Sequence, residues 1–134
     1  MSQENVEIVR RLNAAFNSGD RGAALAYCHP DVDWRDLQHA PDAPERLRGL
    51  DAVFAYMDQW EDAFDDFTAE VEEYIDAGAC VLTVTHWRAK GKDSGLAIDL
   101  HTVDVVEFEG GKIVRITLGY ATKDEALKAV GLEE

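Results

Sequence analysis

Two aspartates in this chain sit in runs that alternate like β-strands, each on the apolar side of its run. In the segment 98–109, strand alternation puts Ile98, Leu100, Thr102, Asp104, Val106 and Phe108 on one side. Asp104 therefore interrupts a mostly apolar face. If that face lines the interior, Asp104 is a buried carboxyl, which is costly unless it is paired or protonated. Two other readings stay open: the apolar face looks outward, or a bulge at the adjoining Val105 and Val106 shifts the register. In the segment 31–36, Val32, Trp34 and Asp36 point one way, and Asp33 and Arg35 the other. A second carboxylate thus shares its side with an aromatic. Two carboxyls of unequal burial can divide acid and base work, the buried one neutral as donor and the more solvated one ionised as acceptor. This makes Asp36 a candidate base and Asp104 a candidate acid.

Other reactive side chains point to no further chemistry. His39 is either a pocket-rim group or an ordinary surface histidine. His101 lies on the opposite face of Asp104's strand if alternation holds, and His86 belongs to another strand whose inward face the sequence leaves open. Either could act as a hydrogen-bond donor, but each reads first as structural or exposed. Cys28 and Cys80 form no close metal-binding pair and read as reduced, small core residues. There is no H-E-x-x-H motif, no Cys/His cluster in the sequence and no phosphate-binding glycine loop, so no metal or nucleotide cofactor is expected.

The elements that must position the two acids follow from periodicity. Val6, Val9, Leu12, Ala15 and Phe16 recur at helical spacing over residues 3–17, and Gly19 is a natural stop. Asp20 can cap a second helix over 21–28. Residues 31–36 read as a short strand and 37–49, with two prolines and mixed charge, as an irregular loop. Val53, Phe54, Met57, Trp60, Ala63 and Phe64 give a third helix, over 49–64, a broad apolar face. Strands are expected over 67–75 and 80–88. A hairpin over 98–120 turns at Gly110-Gly111, with Val114, Ile116, Leu118 and Tyr120 on one side of its second arm. A terminal helix over 123–130 offers Leu127 for docking. Three helices, an early strand and a four-stranded meander imply one α+β domain whose helices cover one face of a curved antiparallel sheet. Trp34, Tyr56, Trp60, Asp104 and Tyr120 are expected to line one concave pocket between helices and sheet.

The chain has 134 residues, with 27 acidic and 13 basic side chains and a formal charge of −14. Such a surface repels phosphate backbones and anionic lipid, so neither nucleic acid nor membrane is an expected partner. The N-terminal residues lack the hydrophobic core of a signal peptide, which implies a cytoplasmic protein.

The chain resembles a SnoaL-like member of the nuclear transport factor 2-like superfamily of α+β cones. The resemblance rests on NAAFNSGDRGAAL, HPDVDWRD, the RGLDAV opening of the third helix, and VDVVEFEGGKIVRITLGY followed by EALKAVGL. It covers nearly the whole chain and rests on order and spacing. It implies three helices packed on the concave face of a cone-shaped sheet, and a homodimer. The superfamily includes polyketide cyclases, ketosteroid isomerases, dehydratases and epoxide hydrolases, besides non-catalytic binding and association domains. Compared with ketosteroid isomerase, Asp36 falls at the position of the proton-shuttling base, Asp104 at the protonated acid of the oxyanion hole and Tyr120 at a pocket aromatic. Leu12 stands where that enzyme has a hydrogen-bonding tyrosine, so half of the oxyanion hole is missing. The resemblance therefore implies a cofactor-independent isomerase, cyclase or dehydratase acting on a small apolar carbonyl compound. A non-catalytic ligand-binding module and a purely dimeric structural domain are the alternatives.

Overall fold

Gly110 and Gly111 have φ of 59° and 80°, a region open to glycine at little cost. They join β5 (Ala97–Glu109) to β6 (Lys112–Tyr120) in the tight hairpin that the sequence predicts. The computed structural model describes residues 2–37 and 46–131. His39 lies outside these described residues. The other strands are β1 (Cys28–Asp36), β2 (Arg46–Arg48), β3 (Phe64–Asp76) and β4 (Cys80–Gly91), and the sheet runs in the order β2-β1-β6-β5-β4-β3. It is curved and does not close on itself.

The meander β3–β6 is antiparallel as expected, and two features depart from an all-antiparallel sheet. β1 runs parallel to β6, which makes the sheet mixed. β2 forms inside the stretch read as a loop and pairs antiparallel with β1; three residues are too few to display a strand period.

The helices are α1 (Ser2–Ser18), α2 (Arg21–Tyr27), α3 (Leu50–Ala63) and α4 (Lys123–Ala129). α1 buries Val9, Leu12 and Ala15, and Gly19, at φ 77°, ends it. The Asp20 side chain accepts a hydrogen bond from the Ala23 N–H at 3.1 Å and so starts α2. Gly49, not Asp51, occupies the N-cap of α3; Asp51 sits in the first turn, where its charge suits the helix dipole.

Two apolar clusters lie on opposite faces of the sheet. On the inner face, Val9 and Leu12 of α1 and Val53 and Phe54 of α3 meet Val32, Val81, Val106, Ile113 and Ile116. On the outer face, Cys80, Leu82, Val103 and Val105 meet Ala126 of α4, with Leu127 and Val130 beside it. The first three helices thus cover one face as expected, whereas α4 covers part of the other. Both cysteines are buried and free.

β6 carries both irregularities of the hairpin. Its pairing with β5 shifts between Val103 and Val105 and again between Glu107 and Phe108, and each time the extra residue lies on β6. The bulge expected at Val105-Val106 therefore sits in the partner strand. As a result Val114, Ile116, Leu118 and Tyr120 do not share a side: Ile116 and Leu118 join the inner cluster and Tyr120 the outer one.

Candidate active site

Alternation holds along the inner half of β5, so Thr102, Asp104, Val106 and Phe108 keep the side the sequence assigns them. Val106 and Phe108 pack into the inner core. Asp104 is 2% exposed, and the carboxyl is held by neutral donors. Its Oδ1 accepts from the Gly119 N–H at 2.9 Å and from the Thr102 hydroxyl at 2.8 Å. The Thr85 side chain adds a further hydrogen bond. Gly119 can donate because the β6 bulge turns its backbone toward β5, and its φ of 100° suits glycine. Thr102 accepts in turn from the Trp87 indole N–H at 2.7 Å, and the Thr85 and Thr83 hydroxyl oxygens lie 3.2 Å apart, in hydrogen-bond contact.

Burial is the main reason the Asp104 pKa rises from 3.8 to about 6. The hydrogen bonds from Gly119, Thr102 and Thr85 oppose the rise, and the negative charge of Asp36 adds to it. No cation pairs with Asp104 among the described residues.

Asp36 ends β1, half-buried, opposite Leu118 of β6. It shares its side with Val32 and Trp34, both buried in the inner core. Trp34 begins a row of aromatic rings. Its centroid lies 5.3 Å from that of Tyr56, which lies 6.1 Å from Trp60. Trp60 reaches Phe67 at 5.5 Å, and Phe67 reaches Trp87 at 6.0 Å. The row leads from the strand of Asp36, across α3, to the indole that supports Thr102. The fold therefore brings Asp36, Asp104, Trp34, Tyr56 and Trp60 to one face of the sheet. Tyr120 is not with them: the β6 bulge places it opposite Val103, in the cluster under α4. Leu12 is 3% exposed in the inner core, as an apolar residue should be.

Sequence reasoning missed Thr85, Thr102, Trp87 and Gly119 as partners of the acid. Thr102 was legible as the inward neighbour of Asp104. Gly119, a glycine within a strand, is a recognisable bulge signal. Thr85 and Trp87 depend on cross-strand register, which one sequence does not reveal. A separate surface groove of about 740 Å³ opens on the outer face, lined by Asp33, Arg48, Cys80, Arg115 and Val130. None of the two candidate acids lines it.

A family model described as a SnoaL-like domain matches residues 9–116. The fold is similar to that of an NTF2-like protein of unknown function from Burkholderia pseudomallei K96243, with a TM-score of 0.75 and 23% identity over 96% of this chain and 98% of the other. A putative SnoaL-like polyketide cyclase from Mesorhizobium loti has a TM-score of 0.69 at 19% identity, covering 85% of this chain and 97% of its own. TerC, co-crystallised with polyporic acid, has a TM-score of 0.77 at 18% identity over 98% and 99% of the two chains. At such identities the likeness shows the fold. No curated protein matches the chain.

Proposed function

This chain belongs to the SnoaL-like domain family, and from that premise we propose that it is a cofactor-independent acid/base enzyme. Its substrate would be a small, largely apolar carbonyl compound, and its reaction an isomerisation, cyclisation or dehydration. The observation that carries this reading is the state of Asp104: a carboxyl 2% exposed, held by neutral donors, with its pKa pushed up to about 6. Purely structural buried acids are normally matched to cations. An acid poised near physiological pH is suited to proton transfer.

In this mechanism Asp36, as carboxylate, takes a proton from the carbon next to the carbonyl. Protonated Asp104 donates a hydrogen bond to the oxygen on which charge develops, and Asp36 then returns its proton to another atom of the delocalised enolate. Thr102, itself held by the Trp87 indole, keeps the Asp104 carboxyl oriented. With Leu12 in place of a helix-one donor, Asp104 carries the oxyanion alone. Trp34, Tyr56 and Trp60 supply the apolar wall. The same reading includes a homodimer formed through the outer face of the sheet; sedimentation as a monomer at micromolar concentration would count against that part.

The test has two arms. Carboxyl NMR titration of the free protein should find Asp104 titrating near pH 6. Turnover should then fall about tenfold per pH unit above 6, as the donor loses its proton. A rate that rises through pH 6 would make Asp104 the base instead. Polyporic acid, the molecule crystallised with TerC, is a reasonable first probe of the site. Binding of such a probe without turnover of any carbonyl compound would favour a ligand-binding module.

A further inference from the structure

A second cluster of titratable groups lies on the outer face of the sheet, where α4 does not reach. Strand register sets His86 of β4 opposite His101 of β5, and their rings stack at 4.0 Å between centroids with planes 15° apart. The third member comes from β3. Its pairing with β4 shifts between Val71 and Glu73, which leaves Glu72 as an extra residue. A bulge of this kind re-aims a side chain, and here the Glu72 carboxylate is turned onto both rings. Its Oε1 lies 3.1 Å from His101 Nε2 and its Oε2 3.9 Å from His86 Nδ1.

The proton on His86 follows from its other neighbour. His86 Nε2 is 2.6 Å from Asp99 Oδ1. An ionised carboxylate only accepts, so Nε2 carries the hydrogen and donates it. The Arg88 Nε–H approaches the same nitrogen at 3.3 Å, but the much shorter 2.6 Å contact with Asp99 decides the proton, and the Arg88 charge helps keep Asp99 ionised. In the neutral ring this tautomer leaves the Nδ1 lone pair facing the Glu72 carboxylate. Two electron-rich groups thus face each other around a point that suits a positive ion. One ligand atom from each of Glu72, His86 and His101 lies within 4.8 Å of the others.

We propose that Glu72, His86 and His101 bind one divalent transition-metal ion of the Zn²⁺ type, with Asp99 fixing the His86 ring from behind. The donor set decides the class of ion. Two imidazoles favour zinc, nickel or copper, whereas magnesium and calcium prefer all-oxygen surroundings. A carboxylate bonded to the far nitrogen of a ligating histidine is the usual supporting arrangement. Two histidines and one carboxylate leave a fourth tetrahedral position for water. His86 is 6% exposed and stays in place. In the single chain the His101 side chain is 53% exposed, with room to turn from the stack and aim its lone pair at the ion. The three ligands come from three strands, so no motif in the sequence betrays them. This site is separate from Asp36 and Asp104, which face the inner side.

The experiment is a titration of the metal-stripped full chain with Zn²⁺ by calorimetry, repeated in excess Mg²⁺ and Ca²⁺. Co²⁺ serves as the optical probe of nitrogen ligands. His86 is buried, so the exposed His101, Glu72 and Asp99 carry the mutations. The expected result is one Zn²⁺ per chain that survives excess Mg²⁺, with Co²⁺ absorption bands that disappear in His101→Ala. Glu72→Gln should abolish the stoichiometric site, and Asp99→Asn should weaken it by about 10- to 100-fold. Absence of binding overturns the proposal. So does equal binding by wild type and His101→Ala, or displacement of Zn²⁺ by Mg²⁺, because either result would reflect only the acidic surface.

Discussion

Asp33 and Asp104 are both buried carboxyls of one sheet, and they are held in opposite ways. Asp33, on the outer face, is 5% exposed. Arg46 grips it with two hydrogen bonds of 2.7 Å, and Arg115 adds a third at 3.2 Å. Asp104, on the inner face, has only hydroxyls and a backbone N–H. For Asp33, burial alone would raise the pKa, but the hydrogen bonds and charges of Arg46 and Arg115 outweigh it and lower the value. For Asp104, burial wins. The difference teaches what sets the charge of a buried carboxyl. The same fold supplies arginines that keep Asp33 ionised and leaves Asp104 with neutral partners, as the proposed function requires of a proton donor.

On the proposed mechanism, replacing Asp104 or Asp36 should have the largest effect. Asp104→Asn keeps size and hydrogen-bonding capacity but cannot titrate. With a substrate in hand, steady-state kinetics should show turnover lower by about 100-fold or more and binding little changed. Asp36→Asn should remove proton abstraction more completely, since an amide is no useful base. The matching change on the outer face, Asp33→Asn, should leave turnover alone.

The two acids should also give stability opposite dependences on pH. Asp104 has a raised pKa. Its protonated form is favoured by folding below about pH 4, and that advantage fades as pH rises to about 6, a loss of about 3 kcal/mol for a shift from 3.8 to about 6. Asp33 has a lowered pKa, so its contribution is present above pH 4 and lost as pH falls through its folded value. Urea unfolding across pH 3–8 should therefore flatten on its upper limb in Asp104→Asn and on its acid limb in Asp33→Asn. Identical slopes in both variants would break the comparison.

Two smaller effects sharpen it. Arg46→Ala leaves Asp33 with Arg115 alone and should lower the urea midpoint at neutral pH, by less than full loss of a buried pair because Arg46 is half exposed. Trp87→Phe removes one neutral hydrogen bond behind Asp104 and should cost about 1 kcal/mol.

The burial of Asp104 was legible because Val106 and Phe108, on its own side of β5, are apolar. Asp36 and Trp34 were legible for the same reason. The α+β architecture, the Gly110-Gly111 turn, the end of α1 at Gly19 and the Asp20 cap follow from local chemistry that a short window displays. What depends on pairing did not follow. Tyr120 moved to the outer face because Gly119 breaks the period of β6, and the parallel partner of β1 is set by tertiary contacts. The docking of α4 on the outer face depends on Leu82, Val103 and Val105 being apolar on that side too. A strand buried on both faces gives no alternation to read.

The order of strands leaves β2 and β3 at the two borders of the sheet. β2 is only three residues long, but β3 is thirteen, long enough to template another chain. Its sequence argues against that fate. Asp65, Asp66, Glu70, Glu72, Glu73 and Asp76 load it with negative charge. Its pairing is broken between Asp65 and Thr68 and again between Val71 and Glu73, and Asp66 adopts a φ of 54°. A second β3 would meet like charge and a kinked ladder. The bulge that aims Glu72 at the histidines thus also protects the chain against runaway strand-to-strand aggregation.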